Sequence, residues 1–337
     1  PSRERFDQGV KQSPYQFDLA DVFSWTDTAS LPLLPPVPGS IGAFDRIQQA
    51  PAVVNADRDD WNVVPYRTGI TSSDCISQDE AEELKSQAWP VYKGGSFDIW
   101  NPDSGVYYGW GKKDDLVQYL RQKRDRSRKW PETGQELPCF RPSIAYRRVT
   151  RSTDSRTIRA SLIPPKVFMR DADPFLIWEE GTEQDEAYLI GILSSIPADW
   201  YARRFVEKHL DYYIFNGIPI PEKKGGRLSE RATELAGRLA AVDDRYADWA
   251  DTVGVDSGPL NENTKQEKIY ELDAVVAHLY GLSREHVQVI FETFHDGWEH
   301  EERLERVLEY YGDWADRLDL DHTDPEMESK SEGQTDD

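Results

Sequence analysis

A chain of 337 residues is long enough for one large domain or two ordinary ones, each with its own core. With 62 acidic against 40 basic residues the net charge is -22, and arginine is preferred to lysine. That bias is expected of a surface kept soluble in concentrated salt, with an ordinary acidic cytosolic protein as the alternative. The two cysteines, Cys75 and Cys139, form neither a disulfide framework nor a metal-ligand spacing. No stretch approaches the roughly 18 apolar residues that cross a bilayer, and no secretory signal pattern opens the chain, so a cytoplasmic protein with no membrane partner is expected. The first residue is Pro1 rather than methionine, which is expected of a chain that begins partway through a longer reading frame or after processing.

Residues 1–60 are rich in proline and aromatics around Leu31-Pro32-Leu33-Leu34-Pro35-Pro36-Val37-Pro38-Gly39. Proline lacks the amide donor and fixes its torsion, so this segment reads as an extended connector. From Trp61 to about Pro165 short apolar runs such as Ala88 to Tyr92 alternate with Gly, Asn, Asp and Pro, the pattern of strands and turns. One helix is predicted at Lys113 to Arg124, where Leu116, Tyr119 and Leu120 share a face. Residues Glu186 to Glu207 predict two short helices broken near Pro197. Arg227 to Val253 and Lys265 to Leu279 predict long helices, Gly281 falls past a helix end, and Ser283 caps the next helix.

The fold class is therefore α+β: a mixed α/β domain at 61–225, a helical bundle at 226–320, and an acidic tail at 321–337 too poor in apolar residues to fold.

Charge is very unevenly placed. Residues 111 to 170 hold sixteen Lys or Arg against six acids, a net +10 inside a chain of -22. Arg121, Lys123, Arg124, Arg126, Arg128 and Lys129 crowd one segment; Arg141, Arg147, Arg148, Arg151, Arg156 and Arg159 follow. Crowded like charges call for a polyanion, and duplex DNA carries a phosphate about every 1.7 Å of its axis. The alternative is a set of arginines bridged to acidic helices of the same chain. Reading a sequence also needs groups that reach base edges. Arg147, Arg148, Arg151, Ser152, Thr153, Arg156 and Thr157 have that chemistry, as do Arg141, Lys93 and Ser96, the last two beside Gly94-Gly95.

At this point the residues resemble a known family. The run Ala88-Trp89-Pro90-Val91-Tyr92-Lys93-Gly94-Gly95 with Phe97-Asp98 is similar to an element in the C-terminal specificity region of large N6-adenine DNA methyltransferases. That family includes type IIG restriction-modification enzymes and phage-defence methylases. Tyr146 to Thr157 with Ala160 and Ile163-Pro164-Pro165 resembles its strand-turn-strand element. Tyr188 to Ser195, Asp199 to Arg204, Ile218-Pro219-Ile220-Pro221, and Glu271 to Leu282 resemble later elements in the same order, from about residue 60 to 296. Gly69 to Asp74 departs from the pattern, and Ser155 stands where members often carry asparagine.

The resemblance implies a target-recognition module whose partners are double-stranded DNA and a methyltransferase catalytic domain or subunit; the acidic composition adds the expectation of a halophilic, haloarchaeal source. S-adenosylmethionine would be held by that catalytic part, which acts on a flipped adenine. This chain should hold no cofactor: Pro35-Pro36 and Pro164-Pro165 follow Leu34 and Ile163, which lack the carboxamide or carboxylate that grips an adenine amino group. A chain that methylates once joined to a catalytic subunit, and a scaffold whose arginines meet an acidic protein, remain as alternatives. Asp103 with Glu222-Lys223-Lys224 imitates a metal-dependent nuclease site only loosely, and a charged turn is the plainer reading. His295 and His300 could approach one another, but exposed histidines explain them as well.

Overall fold

The computed structural model describes residues 34–35, 37–55, 58, 60–127, 130 and 136–322. The first 33 residues of the expected connector, Arg128 and Lys129 of the basic segment, and tail residues 323–337 lie outside the described residues.

The α+β class holds, with two small sheets and a helical body. The larger sheet has the order β1-β7-β4-β5, from β1 (Asn62–Tyr66), β7 (Phe175–Glu180), β4 (Ser143–Tyr146) and β5 (Ala160–Ile163). Strand β4 pairs antiparallel with β5, Ser143 opposite Ile163 and Tyr146 opposite Ala160. The smaller sheet, β3-β2-β6, joins β2 (Ala88–Tyr92) to β3 (Gly109–Lys112) antiparallel and to β6 (Phe168–Met169) parallel.

Strands β4 and β5 are buried at every position, and β7 from Phe175 to Trp178, because both faces of their sheet are covered. Alternate side chains go to opposite faces. Leu176 and Trp178 of β7, with Ile144, Tyr146 and Leu162, join the core under the helices. Phe175, Ile177, Ala145 and Ile163 join a second core with Trp89, Val91 and Phe168 of the smaller sheet. Onto that second core packs α3 (Lys113–Arg126), through Leu116, Val117 and Leu120; α2 (Gln78–Leu84) lies before β2.

The helical body is built around α4 (Glu183–Ser194), in which every residue from Asp185 to Ser194 is buried. Thr182 caps it by accepting from the Asp185 amide, in a reciprocal capping box. The break expected near Pro197 falls at Ser195, which caps α5 (Ile196–Ala202) by accepting from Ala198 N. Proline is tolerated in that first turn because its missing donor would have no helical partner there. Then come α6 (Tyr212–Asn216), α7 (Arg227–Ala240), α8 (Ala247–Val253), α9 (Glu262–Leu279), α10 (Arg284–Glu292) and α11 (Glu301–His322). Gly281 follows α9 at φ 64, where a side chain would be strained, and Ser283 caps α10 from the His286 amide.

Packing does not follow chain order. Within the expected connector, residues Ser40–Gln48 form a helix, α1, with Ala43, Phe44 and Ile47 wholly buried in the helical core. Phe44 stacks on Tyr201 of α5 at 4.9 Å between ring centroids. Burying a phenylalanine or isoleucine contributes roughly 1.5–3 kcal/mol, which outweighs the extended preference of the prolines before it. Beyond α1, Val53 N donates to Ile218 O and Ile220 N to Pro51 O, so this segment is tied into the core by backbone as well. Helices α4 to α6, which sequence placed with the strands, belong to the same core as α7, α9 and α10.

Candidate nucleic-acid interface

The loop between β4 and β5, residues 147–159, carries seven of the ten residues expected to contact DNA: Arg147, Arg148, Arg151, Ser152, Thr153, Arg156 and Thr157. It is not a slack connection. Asp199, on α5, is wholly buried and collects its hydrogen bonds from the loop base. Thr157 N and Ile158 N donate to it at 2.9 and 3.1 Å, and Arg156 Nε at 2.7 Å. Arg203, one helical turn on, pairs with the same carboxylate at 3.3 Å. It also donates to the carbonyls of Ser152 and Asp154 at 2.9 and 3.2 Å. The Arg156 guanidinium adds bonds to Ser194 O and Ser195 O. A buried carboxylate is costly unless its lone pairs are filled; here backbone amides and two arginines fill them.

The other side of the loop is fixed by a short ribbon. Thr150 N donates to Lys208 O at 3.2 Å, Leu210 N to Arg148 O at 2.8 Å, and Val149 sits opposite His209. Between these anchors the side chains alternate: Val149, Arg151, Thr153 and Ser155 are exposed, whereas Thr150 and Thr157 are buried and Ser152, Asp154 and Arg156 are partly covered.

Loop 93–108 lies against the first. Lys93 N donates to Ser96 Oγ at 2.9 Å, and that hydroxyl donates to Val106 O, so the wholly buried Ser96 fastens its own turn. Arg147 donates to Phe97 O and pairs with Asp98 at 3.2 Å; Arg159 pairs with Asp98 at 2.7 Å. Burial lowers the Arg147 guanidinium from its ordinary range, with Asp98 opposing. Gly94 allows close approach, but by Asp173 and Arg147: a side chain there would meet them at 3.1 and 3.5 Å.

Of the residues singled out from sequence, Arg151 and Thr153 are exposed on this loop, Lys93, Arg147, Arg148 and Ser152 are partly covered, and Ser96, Arg156 and Thr157 are the fasteners beneath. Arg148 pairs with Asp211 at 2.6 Å through Nε. Among the described residues Arg151 and Lys93 have no side-chain partner, and the exposed Lys208 lies across from Thr150, whose amide donates to its carbonyl. Arg141 is elsewhere. It stands at the opposite end of β4 and pairs with Glu186 at 2.9 Å and Glu183 at 3.3 Å. Burial pushes the Glu186 carboxyl up to about 7 against the pull of Arg141 and the Trp249 N–H.

Asp199, Arg203 and Asp98 position the loop; they lie in the elements that carry the resemblance, but sequence alone assigned them no role in the site. The one local sign was the spacing of Asp199 and Arg203, four apart on a helix. The nuclease imitation does not assemble: Asp103 pairs with Arg245 at 2.9 Å, and Lys224 with Glu222 at 2.6 Å. Among the described residues no cluster of His, Cys, Asp and Glu is placed to hold a metal ion. The ring nitrogens of His295 and His300 meet the carbonyls of Asp296 and Trp298. No described helix is long and apolar enough to cross a membrane.

The molecule is therefore an α+β protein that presents a rigid, arginine-fastened loop. No protein-family model matches the chain, and no curated protein matches it. Among solved structures, it is similar to a type IIL restriction-modification enzyme, MmeI, in complex with DNA. That likeness covers 73% of this chain and 36% of the enzyme, at a TM-score of 0.34 and 11% identity.

Proposed function

We propose that this chain is the DNA target-recognition module of an adenine-specific DNA methyltransferase of a restriction-modification or defence system. The observation that carries the reading is the β4–β5 loop: held from below by Asp199 and Arg203, it turns Arg151, Thr153 and Ser155 outward in a fixed order. A pre-organised loop loses little conformational entropy on docking. Arg148 and Arg151, with Lys93 and Lys208, supply phosphate contacts; Ser152 and Thr153 supply hydroxyls suited to base edges. The adenine specificity rests on the ordered resemblance from Ala88 to Leu282. S-adenosylmethionine and the chemistry belong, in this reading, to a catalytic domain or subunit that this chain directs.

The test is duplex binding by fluorescence anisotropy over a range of salt. Each phosphate contact contributes about -0.9 to the slope of log K against log[salt]. Arg151→Ala is expected to weaken binding and to make the slope shallower by about one. Absence of binding in low salt, or an unchanged slope in Arg151→Ala, overturns the reading. The ion pairs of Arg147, Arg148 and Arg156 with acids of their own chain are what a protein scaffold would also show. Capture of an acidic protein with no duplex binding would favour that second reading.

A further inference from the structure

Among the described residues, four large hydrophobic side chains are exposed, and Val149 is the most exposed, at 57%. Single exposed hydrophobics are ordinary on protein surfaces. Val149 is set apart by how it is held. Its neighbours Arg148 and Thr150 are each hydrogen-bonded through the backbone to residues 208–210, so it stands on a two-stranded ribbon opposite His209. Thr150 turns inward and is 2% exposed, which by strand alternation sends Val149 outward. Arg148 precedes it, Arg151 follows two residues on, and Lys208 lies across the ribbon; Tyr213, 42% exposed, comes two residues after Asp211, the partner of Arg148.

The position therefore offers a stiff, branched, apolar side chain with Arg151, which has no side-chain partner, two residues along the same side of the chain. A cation there would repel a cationic partner, and an apolar group contributes nothing to phosphate contact. On duplex DNA the major groove admits a two-stranded ribbon, and the one apolar group on its base edges is the C5-methyl of thymine. We infer that Val149 reads a thymine methyl in the major groove, a specificity contact that rests on the proposed DNA-recognition reading and extends it. Its β-branched side chain has little rotamer freedom to lose there.

The experiment is selection of a binding site from a randomised duplex pool by the full chain, followed by measurements on that site with each thymine replaced in turn by uracil. Uracil keeps the hydrogen-bonding edge and removes only the methyl group. For the native protein, one such replacement should weaken binding about fourfold, the effect of one buried methyl. For Val149→Ser that same replacement should have no effect, while low-salt binding to unrelated duplex stays unchanged and shows that the variant is folded. Loss of the fourfold effect only in the variant supports the assignment. If no thymine matters in the native protein, or Val149→Ser keeps the same discrimination, Val149 does not read a methyl group, and the recognition reading stands. If the native protein enriches no duplex and binds none in low salt, that broader reading falls, and this one with it.

Discussion

Removing the Asp199 carboxylate tests the central feature of the face, the claim that its loop is held from below. Asp199→Ala leaves Thr157 N and Ile158 N without their acceptor, and strands the guanidinium of Arg203, whose side chain is 2% exposed, beside that of Arg156. Breaking a buried ion pair from one side costs about 3–5 kcal/mol, and an orphaned buried amide about 1–3 kcal/mol. The loop base can admit water once loosened, which offsets part of the amide cost, so a loss of about 3–5 kcal/mol is expected. With a urea slope near 3 kcal/mol/M, this is a midpoint shift of roughly 1 to 1.7 M. Urea unfolding followed by tryptophan fluorescence measures it, and amide hydrogen exchange should show loss of protection centred on Thr157 and Ile158. Asp199→Asn, which keeps one acceptor but not the charge, should fall between the two. A variant within about 0.5 kcal/mol of the native protein, the range of ordinary surface substitutions, would refute the anchoring role.

Three further outcomes follow from other parts of the molecule. The Glu186 carboxyl has a folded pKa of about 7 against 4.5 when free, so between those values the native state binds more protons than the unfolded chain. Stability from this group is then full at low pH and declines, by up to about 3 kcal/mol, as pH rises through that window. Unfolding free energies of the native protein and Glu186→Gln should diverge steeply over that range and run parallel above it; a constant difference would contradict the raised pKa. Gly191 lies in α4 where an added Cβ would meet the Cβ of Ala236 in α7 at 2.8 Å. Gly191→Ala should therefore destabilise by about 1–3 kcal/mol despite alanine's better helix propensity, and a raised melting temperature would show that the two helices can separate. Arg245 joins Asp103 of the 93–108 loop to Asp243 of the helical body. Arg245→Ala should raise hydrogen exchange in that loop with little effect on global stability, since the pair is partly exposed.

Local chemistry was legible without the structure. The strand at Ala88–Tyr92, the helix from Lys113, the capping serine at position 283 and the glycine past α9 all follow from periodicity, caps and backbone freedom within a few residues. Helix α1 shows where that reasoning stopped. Ala43, Phe44 and Ile47 carry a short helical repeat, but the prolines just before it dominated the segment's composition, and its burial depends on Tyr201, far along the chain.

The basic window shows the same division. Its sixteen cations and their crowding between residues 111 and 170 are properties of the sequence alone. Which of them face outward is not, because their partners lie far along the chain: Arg156 with Asp199, Arg141 with Glu186, Arg148 with Asp211. A charge's availability depends on the nearest opposite charge in space, and folding decides that distance. Sequence by itself determined the α+β class, local elements such as the strand at Ala88–Tyr92 and the helix from Lys113, and the placement of positive charge; the helix expected from Arg227 to Val253 is broken into α7 and α8. The tertiary structure alone decided that Arg156 and Thr157 hold the loop while Arg151 and Val149 are presented, because a buried carboxylate on α5 binds the loop base and residues 208–210 pair with the strand on which Val149 stands.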